Sequence, residues 1–344
     1  MKSMVLIDIL KIEIVEEPDP VIRKPDDVLV RMKSVGVCGS DIHYYKEGRI
    51  GSQVVKFPFT LGHEGSGEVV DVGTAVKNIK PGDRIAFDPS MPCFGCDQCK
   101  AGRPHTCRNI LFLGCPDQAE GCMSEYIVMP SEGCYPLDKN ISYDQAALSE
   151  PLSIGVYSAR LGGNLRDKKV AVFGSGPIGV SVMLAANNYG ASKVYMTDLL
   201  DRRLALAKEM GASWTGNPDK EDIVDGILKL EPYQVDVVFE CCGKQEALNQ
   251  AIMLLKPGGR LVIVGVPSFD NWIIGTDEMR KKELSIQNVR RQNDSLHETL
   301  ELIASGKVIP DKMQTHTFRF EQIAEAFDLV EGFRDGVMKA MINF

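Results

Sequence analysis

The chain has 344 residues, enough for two domains with separate cores, and its 44% apolar and 25% charged composition is that of a folded globular protein. A formal net charge of −8 with no basic stripe argues against nucleic acid or an anionic membrane surface as partner, leaving small molecules. The ten cysteines follow no secretory leader pattern and do not read as a disulfide framework, so the expected compartment is the reducing cytoplasm.

Residues 27 to about 150 read as short strands broken by Gly and Pro: Val28–Met32, Gly67–Val72, Asp83–Phe87 and Glu125–Val128. This is a β-rich, barrel-like unit. Near residue 155 the rhythm becomes strand then helix, with apolar strands at Lys169–Phe173, Lys193–Thr197, Val235–Phe239 and Leu261–Val264. Such alternation predicts an α/β doubly wound parallel sheet. The uncharged run Val170–Ser192 contains Gly174, Gly176, Pro177, Gly179, Asn187 and Asn188, so it predicts a strand, a turn and a buried helix rather than a membrane span. A helix from Asp201 stops at Gly211, and another follows at Leu296–Ser305. The expected organisation is a β-rich domain over 1–155, a doubly wound domain over 156–295, and a tail, 296–344, that returns to the first.

Within the β-rich part, Cys93, Cys96, Cys99 and Cys107 form a C-x2-C-x2-C-x7-C run. Four thiolates at that spacing close a tetrahedron around one zinc ion, a structural site with no open position, in a lobe at about 90–110. Reactive chemistry must lie elsewhere. Cys38, His63 and Glu64 offer a thiolate, an imidazole and a carboxylate, a mixture that suits zinc with an exchangeable position. Each taken alone reads as an ordinary core or surface residue, so the surrounding pattern has to carry the assignment.

The segment from Val170 to Gly179 sets Gly174, Gly176 and Gly179, with Pro177 and Ile178 between them, after an apolar strand and before a helix. Backbone amides and the helix dipole there can receive a pyrophosphate. The second strand ends at Asp198, 19 positions after Gly179, where a carboxylate accepts from a ribose hydroxyl and repels a 2′-phosphate. NAD is therefore expected rather than NADP. Arg203 is counted with this site; with Arg202 it would instead pair with a phosphate, or both would lie on a solvated helix face.

The run Gly62-His63-Glu64-Gly65-Ser66-Gly67, followed by Gly73 and Val76, fits the signature G-H-E-x2-G-x5-G-x2-V, with Pro81-Gly82-Asp83-Arg84 after it. On these residues the chain resembles the zinc-dependent medium-chain alcohol dehydrogenases over nearly its whole length. Val37 to Tyr45, Gly48-Arg49-Ile50-Gly51, Glu150-Pro151-Leu152-Ser153 and Thr197-Asp198-Leu199 look most like the sorbitol and xylitol dehydrogenases. Sugar-acid dehydrogenases such as idonate 5-dehydrogenase, and galactitol-phosphate enzymes, share much of the pattern. The resemblance implies a GroES-like catalytic domain, a Rossmann coenzyme domain, NAD, two zinc ions per chain and a homo-oligomer, dimer or tetramer.

It further implies that Cys38 and His63 ligate a catalytic zinc, with Glu64 as a third ligand and Glu150 as a direct, alternating or water-mediated one. Asp41 would orient His63, and Ser40 and His43 would relay the alcohol proton to solvent. Tyr44 and Arg290 would meet the substrate. Arg291 stands where an aromatic is usual: the tandem Arg290-Arg291 could serve a carboxylate or phosphate, or an alternating strand turns one of them outward, and a neutral polyol is the expected substrate. Threonine dehydrogenases are disfavoured, since they usually carry Thr at the position of Ser40 and His at that of Ser90. The ligand and relay set also argues against a zinc-free reductase and against a nonenzymatic zinc or nucleotide sensor.

Overall fold

A computed structural model of the chain describes residues 1–344 and divides into two compact units, Met1–Glu150 with Leu296–Phe344, and Pro151–Ser295. The division falls inside the helix Tyr143–Leu161, ahead of the boundary expected at 155, because the helical pattern runs unbroken through Pro151.

The first unit is built on a seven-stranded sheet ordered Cys134–Pro136, Arg84–Phe87, Glu64–Val72, Asp27–Gly36, Lys339–Asn343 and Gln314–Arg319, with Tyr126–Pro130 also paired to Asp27–Gly36. The long strand Asp27–Gly36 is the hub. Its Val28, Val30, Met32 and Val35 are buried with Ile85, Phe87, Met129 and Ile342, each fully buried side chain of this kind contributing about 1.5–3 kcal/mol. The tail strand Lys339–Asn343 lies antiparallel to that hub, with Met341 opposite Gly36. On the other side of the hub, Gly36 lies opposite Glu64. Three segments distant in sequence thus meet at Gly36.

The second unit holds a six-stranded parallel sheet ordered Trp214–Gly216, Lys193–Thr197, Lys169–Phe173, Val235–Glu240, Leu255–Ile263 and Ser285–Asn288. Strand order reverses beside Lys169–Phe173, the switch point at which doubly wound sheets bind nucleotides. The strand expected at Leu261–Val264 starts earlier, at Leu255, and runs through Pro257-Gly258-Gly259 with a register shift against Val235–Glu240. The edge strand ends at Asn288, so no alternating strand reaches Arg290 and Arg291. No helix is long and apolar enough to cross a membrane.

Candidate active site

Cys38 caps the helix Gly39–Glu47, and the Asp41 carboxylate accepts the Cys38 backbone N–H at 3.0 Å, the acidic half of a capping box. The other oxygen of Asp41 accepts the Gly62 N–H at 3.2 Å and faces His63 Nδ1 at 3.5 Å, an electrostatic contact longer than a hydrogen bond. Asp41 is fully buried, so one carboxylate ties the thiol-bearing cap to the segment that carries the imidazole. Burial acts to lower the His63 pKa, but Asp41 and Cys38 outweigh it and hold it well above the ordinary histidine range. The Ser40 hydroxyl donates to the Cys38 sulfur at 3.3 Å. His43 lies on the same helix with its side chain 44% exposed, and Nδ1 is 3.4 Å from Glu47 Oε1.

The ligand atoms of Cys38, His63 and Glu64 all lie within 4.8 Å of one another. Glu64 can lie there because its partner across the sheet is Gly36: a Cβ on Gly36 would collide with Glu64 Oε2. Both Glu64 oxygens accept from Lys339 Nζ, at 2.7 and 2.6 Å, and the ammonium also donates to the Val37 carbonyl at 3.1 Å. This pair is 1% exposed on each side. The sequence reading missed Lys339; the available signal was a lone Lys in the apolar run Val337-Met338-Lys339-Ala340-Met341. Glu150 is buried as well. Burial, with Glu64 and Asp88 reinforcing it and His63 and Lys339 opposing, pushes its carboxyl up to about 8. Lys339 pairs with Glu64 alone, so the thiol of Cys38, the imidazole of His63 and the carboxylate of Glu64 stand together beside Asp41 as a mixed donor set that fits zinc.

Cys93, Cys96, Cys99 and Cys107 converge in the lobe built by the helix Asp97–Lys100 and the turn Pro104–Thr106. Sulfur separations are 3.6 Å for Cys96–Cys99, 3.8 Å for Cys96–Cys107 and 3.4 Å for Cys93–Cys107. These are far longer than a disulfide bond, and close to the roughly 3.8 Å edge of a tetrahedron whose centre lies ~2.3 Å from each sulfur. Backbone amides already point at the thiols: Cys93 N–H and Asn109 N–H donate to Cys107 Sγ at 3.3 and 3.4 Å. Amides of Arg108 and Cys99 draw Cys96 down to about 6, whereas burial and the neighbouring sulfurs push Cys99 up to about 12. The cluster can carry some thiolate unaided and needs a cation to carry four.

In the second unit, the strand Lys169–Phe173 runs into Gly174, at φ 95, and the helix Pro177–Asn188 starts on proline. A Cβ on Gly179 would strike the Gly174 carbonyl, so that glycine lets helix and turn close up. Asp198 follows the strand Lys193–Thr197 and accepts from Ser175 N–H at 2.7 Å and Leu200 N–H at 2.9 Å. Arg203 is partly buried beside Gly176, and burial lowers its pKa against the pull of Asp198. Arg290 is exposed and Arg291 partly buried at φ 53, so Arg290 is the arginine turned to solvent. In the first unit Tyr44 is 4% exposed and its hydroxyl donates to Gln53 Oε1 at 3.3 Å.

The family profile described as "Alcohol dehydrogenase GroES-like domain" matches residues 24–139, and the one described as "Zinc-binding dehydrogenase" matches 177–305. The chain belongs to the zinc-dependent medium-chain alcohol dehydrogenases and is an NAD-dependent zinc enzyme of that class. Among its relatives, Sorbitol dehydrogenase 1 of Saccharomyces cerevisiae is 37% identical over 99% of this chain and 97% of its own length. Of solved structures, an Escherichia coli oxidoreductase of unknown specificity superposes with a TM-score of 0.94 at 30% identity, covering 99% of this chain and 98% of its own. The L-idonate 5-dehydrogenase of Escherichia coli gives 0.92 at 27%, covering 100% and 98%.

Proposed function

We propose that this chain oxidises one secondary hydroxyl of a sorbitol- or xylitol-like polyol to the ketose. The observation that carries the reading is the convergence of Cys38, His63 and Glu64 beside a helix bearing Ser40, His43 and Tyr44. Zinc bound to those residues would polarise the alcohol oxygen, and NAD would accept the hydride. Cys38 and His63 would hold the metal, with Glu64 as a third ligand and Glu150 joining directly, in alternation or through water. Asp41, 3.5 Å from His63 Nδ1, would orient the imidazole as a ligand. The second zinc belongs to Cys93, Cys96, Cys99 and Cys107.

Oxidation of the carbinol would release its C–H hydrogen with the bonding electron pair to the coenzyme and leave the O–H proton for this chain to carry away. Ser40 takes that proton and passes it towards His43, whose exposed imidazole hands it to water. The backbone from Gly174 to Gly179 would receive the pyrophosphate and Asp198 the adenosine ribose, with Arg203 beside Gly176 as part of the same site. Arg290 hydrogen-bonds substrate hydroxyls, as does Tyr44. The tandem Arg290-Arg291 supports a second reading, oxidation of a sugar acid or a sugar-alcohol phosphate, with the two cations clamping the charged end. Sorbitol dehydrogenase relatives at higher identity favour the polyol. The working enzyme is a cytoplasmic homo-oligomer, a dimer or tetramer. The test is NADH formation with a panel of polyols, aldonates, sugar phosphates and threonine: a neutral polyol should give the highest kcat/KM, and a better aldonate or phosphate would overturn the substrate assignment.

A further inference from the structure

Lys339 is used by none of the steps above, although it joins the two segments that carry Cys38, His63 and Glu64. An ammonium has three N–H donors. Those of Lys339 go to Glu64 Oε1 at 2.7 Å, to Glu64 Oε2 at 2.6 Å and to the Val37 carbonyl at 3.1 Å. Val37 precedes Cys38, and Glu64 follows His63. The main chain repeats the tie, since Val37 N–H donates to the Ala340 carbonyl at 3.0 Å and Met341 lies opposite Gly36. Lys339 is 2% exposed and Glu64 1%, so the pair is little screened by solvent.

The neighbours of the two adjacent ligands carry opposite charge. His63 Nδ1 faces Asp41 at 3.5 Å, and an anion there makes the imidazole a stronger donor to a metal. Glu64 faces a cation instead. A carboxylate has about four lone-pair sites, and the ammonium takes one on each oxygen, so a metal that used Glu64 would share its charge with Lys339. We infer that Lys339 is a positioning residue that keeps Glu64 the weakest of the three donors, so that Glu64 rather than Cys38 or His63 gives way when a substrate oxygen enters the site. Two cations drawing on one buried carboxylate repel each other, and each loosens the other's hold on it. The third N–H bond fixes the ammonium to Val37, which gives the carboxylate a set place when it gives way. A lysine that served only to join strands has the opposite consequence: its loss would slacken the segments on either side of the site and weaken metal binding.

The inference rests on the proposed assignment of Cys38, His63 and Glu64 to zinc, and its test separates the two. Zinc affinity is measured by competition with a chelator at one fixed pH, and the step that disappears in His63→Ala is assigned to this site rather than to the cysteine cluster. Partners of a ligand shift metal affinity about 10- to 100-fold, so Lys339→Met should tighten zinc at this site about tenfold or more, against the direction that structural damage would give. The same variant should raise KM for the best substrate of the panel by a similar factor, with a smaller change in kcat, because Glu64 no longer yields readily. Lys339→Arg, which keeps the cation, should restore both values to near those of the wild type. If Lys339→Met does not fold, Lys339→Gln, which keeps N–H donors without the charge, decides by the same tightening. Zinc affinity unchanged or weakened in the uncharged variants overturns the role of Lys339 and leaves the zinc site standing. A His63→Ala protein that keeps both zinc steps overturns the assignment of the site itself.

Discussion

Lys339 shows how much a single buried charge depends on its partner. With Glu64 equally buried, removing the ammonium in Lys339→Met takes away the partner of a buried carboxylate, and breaking a pair of this kind costs about 3–5 kcal/mol. Urea unfolding at fixed zinc should report that loss, and Lys339→Met combined with Glu64→Gln should recover more than half of it; a loss below about 1 kcal/mol for the single variant would mean that the pair carries no such weight. Asp198 acts at the other site through hydrogen-bond acceptance. Asp198→Ala removes the acceptor for the ribose and the repulsion of a 2′-phosphate, so kcat/KM should fall with NAD and the NADP-to-NAD ratio should rise about tenfold or more. An unchanged ratio would remove Asp198 from coenzyme choice.

At the scale of elements, what the sequence made legible follows how local the signal is. Lys169–Phe173 and Lys193–Thr197 were readable to the residue, because each apolar run is cut by Gly174 or by Asp198. The strand Leu255–Ile263 was cropped because Pro257-Gly258-Gly259 reads as a turn, whereas a register shift in the sheet absorbs it. Cys38, His63 and Glu64 were found from their motifs, yet Lys339 was not, since its partner lies 275 positions away and only the pairing of the tail strand with Asp27–Gly36 brings them together. The arginines followed the same rule: sequence could not show that the edge strand stops at Asn288 and that Arg291 takes a left-handed backbone. The cysteine lobe is the opposite case, short in sequence and dense in ligands. Its helix has four residues, too few to persist alone, so its shape must come from hydrogen bonds such as Arg108 to Asp97 and, on the proposed zinc assignment, from the metal. Cys99→Ala should therefore lower Tm by several degrees and make the 93–107 segment the first site of proteolytic cleavage. A Cys99→Ala variant as resistant there as the wild type would show that the lobe does not need its metal.

For the whole molecule, the two metal sites make opposite demands, and that opposition can be measured. The cysteine cluster offers four sulfurs and no open position, so its loss should act on stability and reach activity only through folding. The Cys38–His63–Glu64 cluster sits in a framework held by Asp41, Lys339 and the sheet register at Gly36, all of which persist without a metal ligand's side chain. Its loss should act on turnover and spare the fold. Metal analysis of the native protein should give two zinc ions per chain. Cys99→Ala and His63→Ala should each give one, but the first should keep most of its activity per folded molecule at a lowered Tm, while the second should lose about a thousandfold or more in kcat, consistent with loss of metal-assisted chemistry, at nearly native Tm. NAD binding, followed by fluorescence titration, should survive in both, because Gly174 to Gly179 and Asp198 belong to the other unit. Substantial turnover by His63→Ala, or a single zinc in fully active native enzyme, would overturn this division of labour.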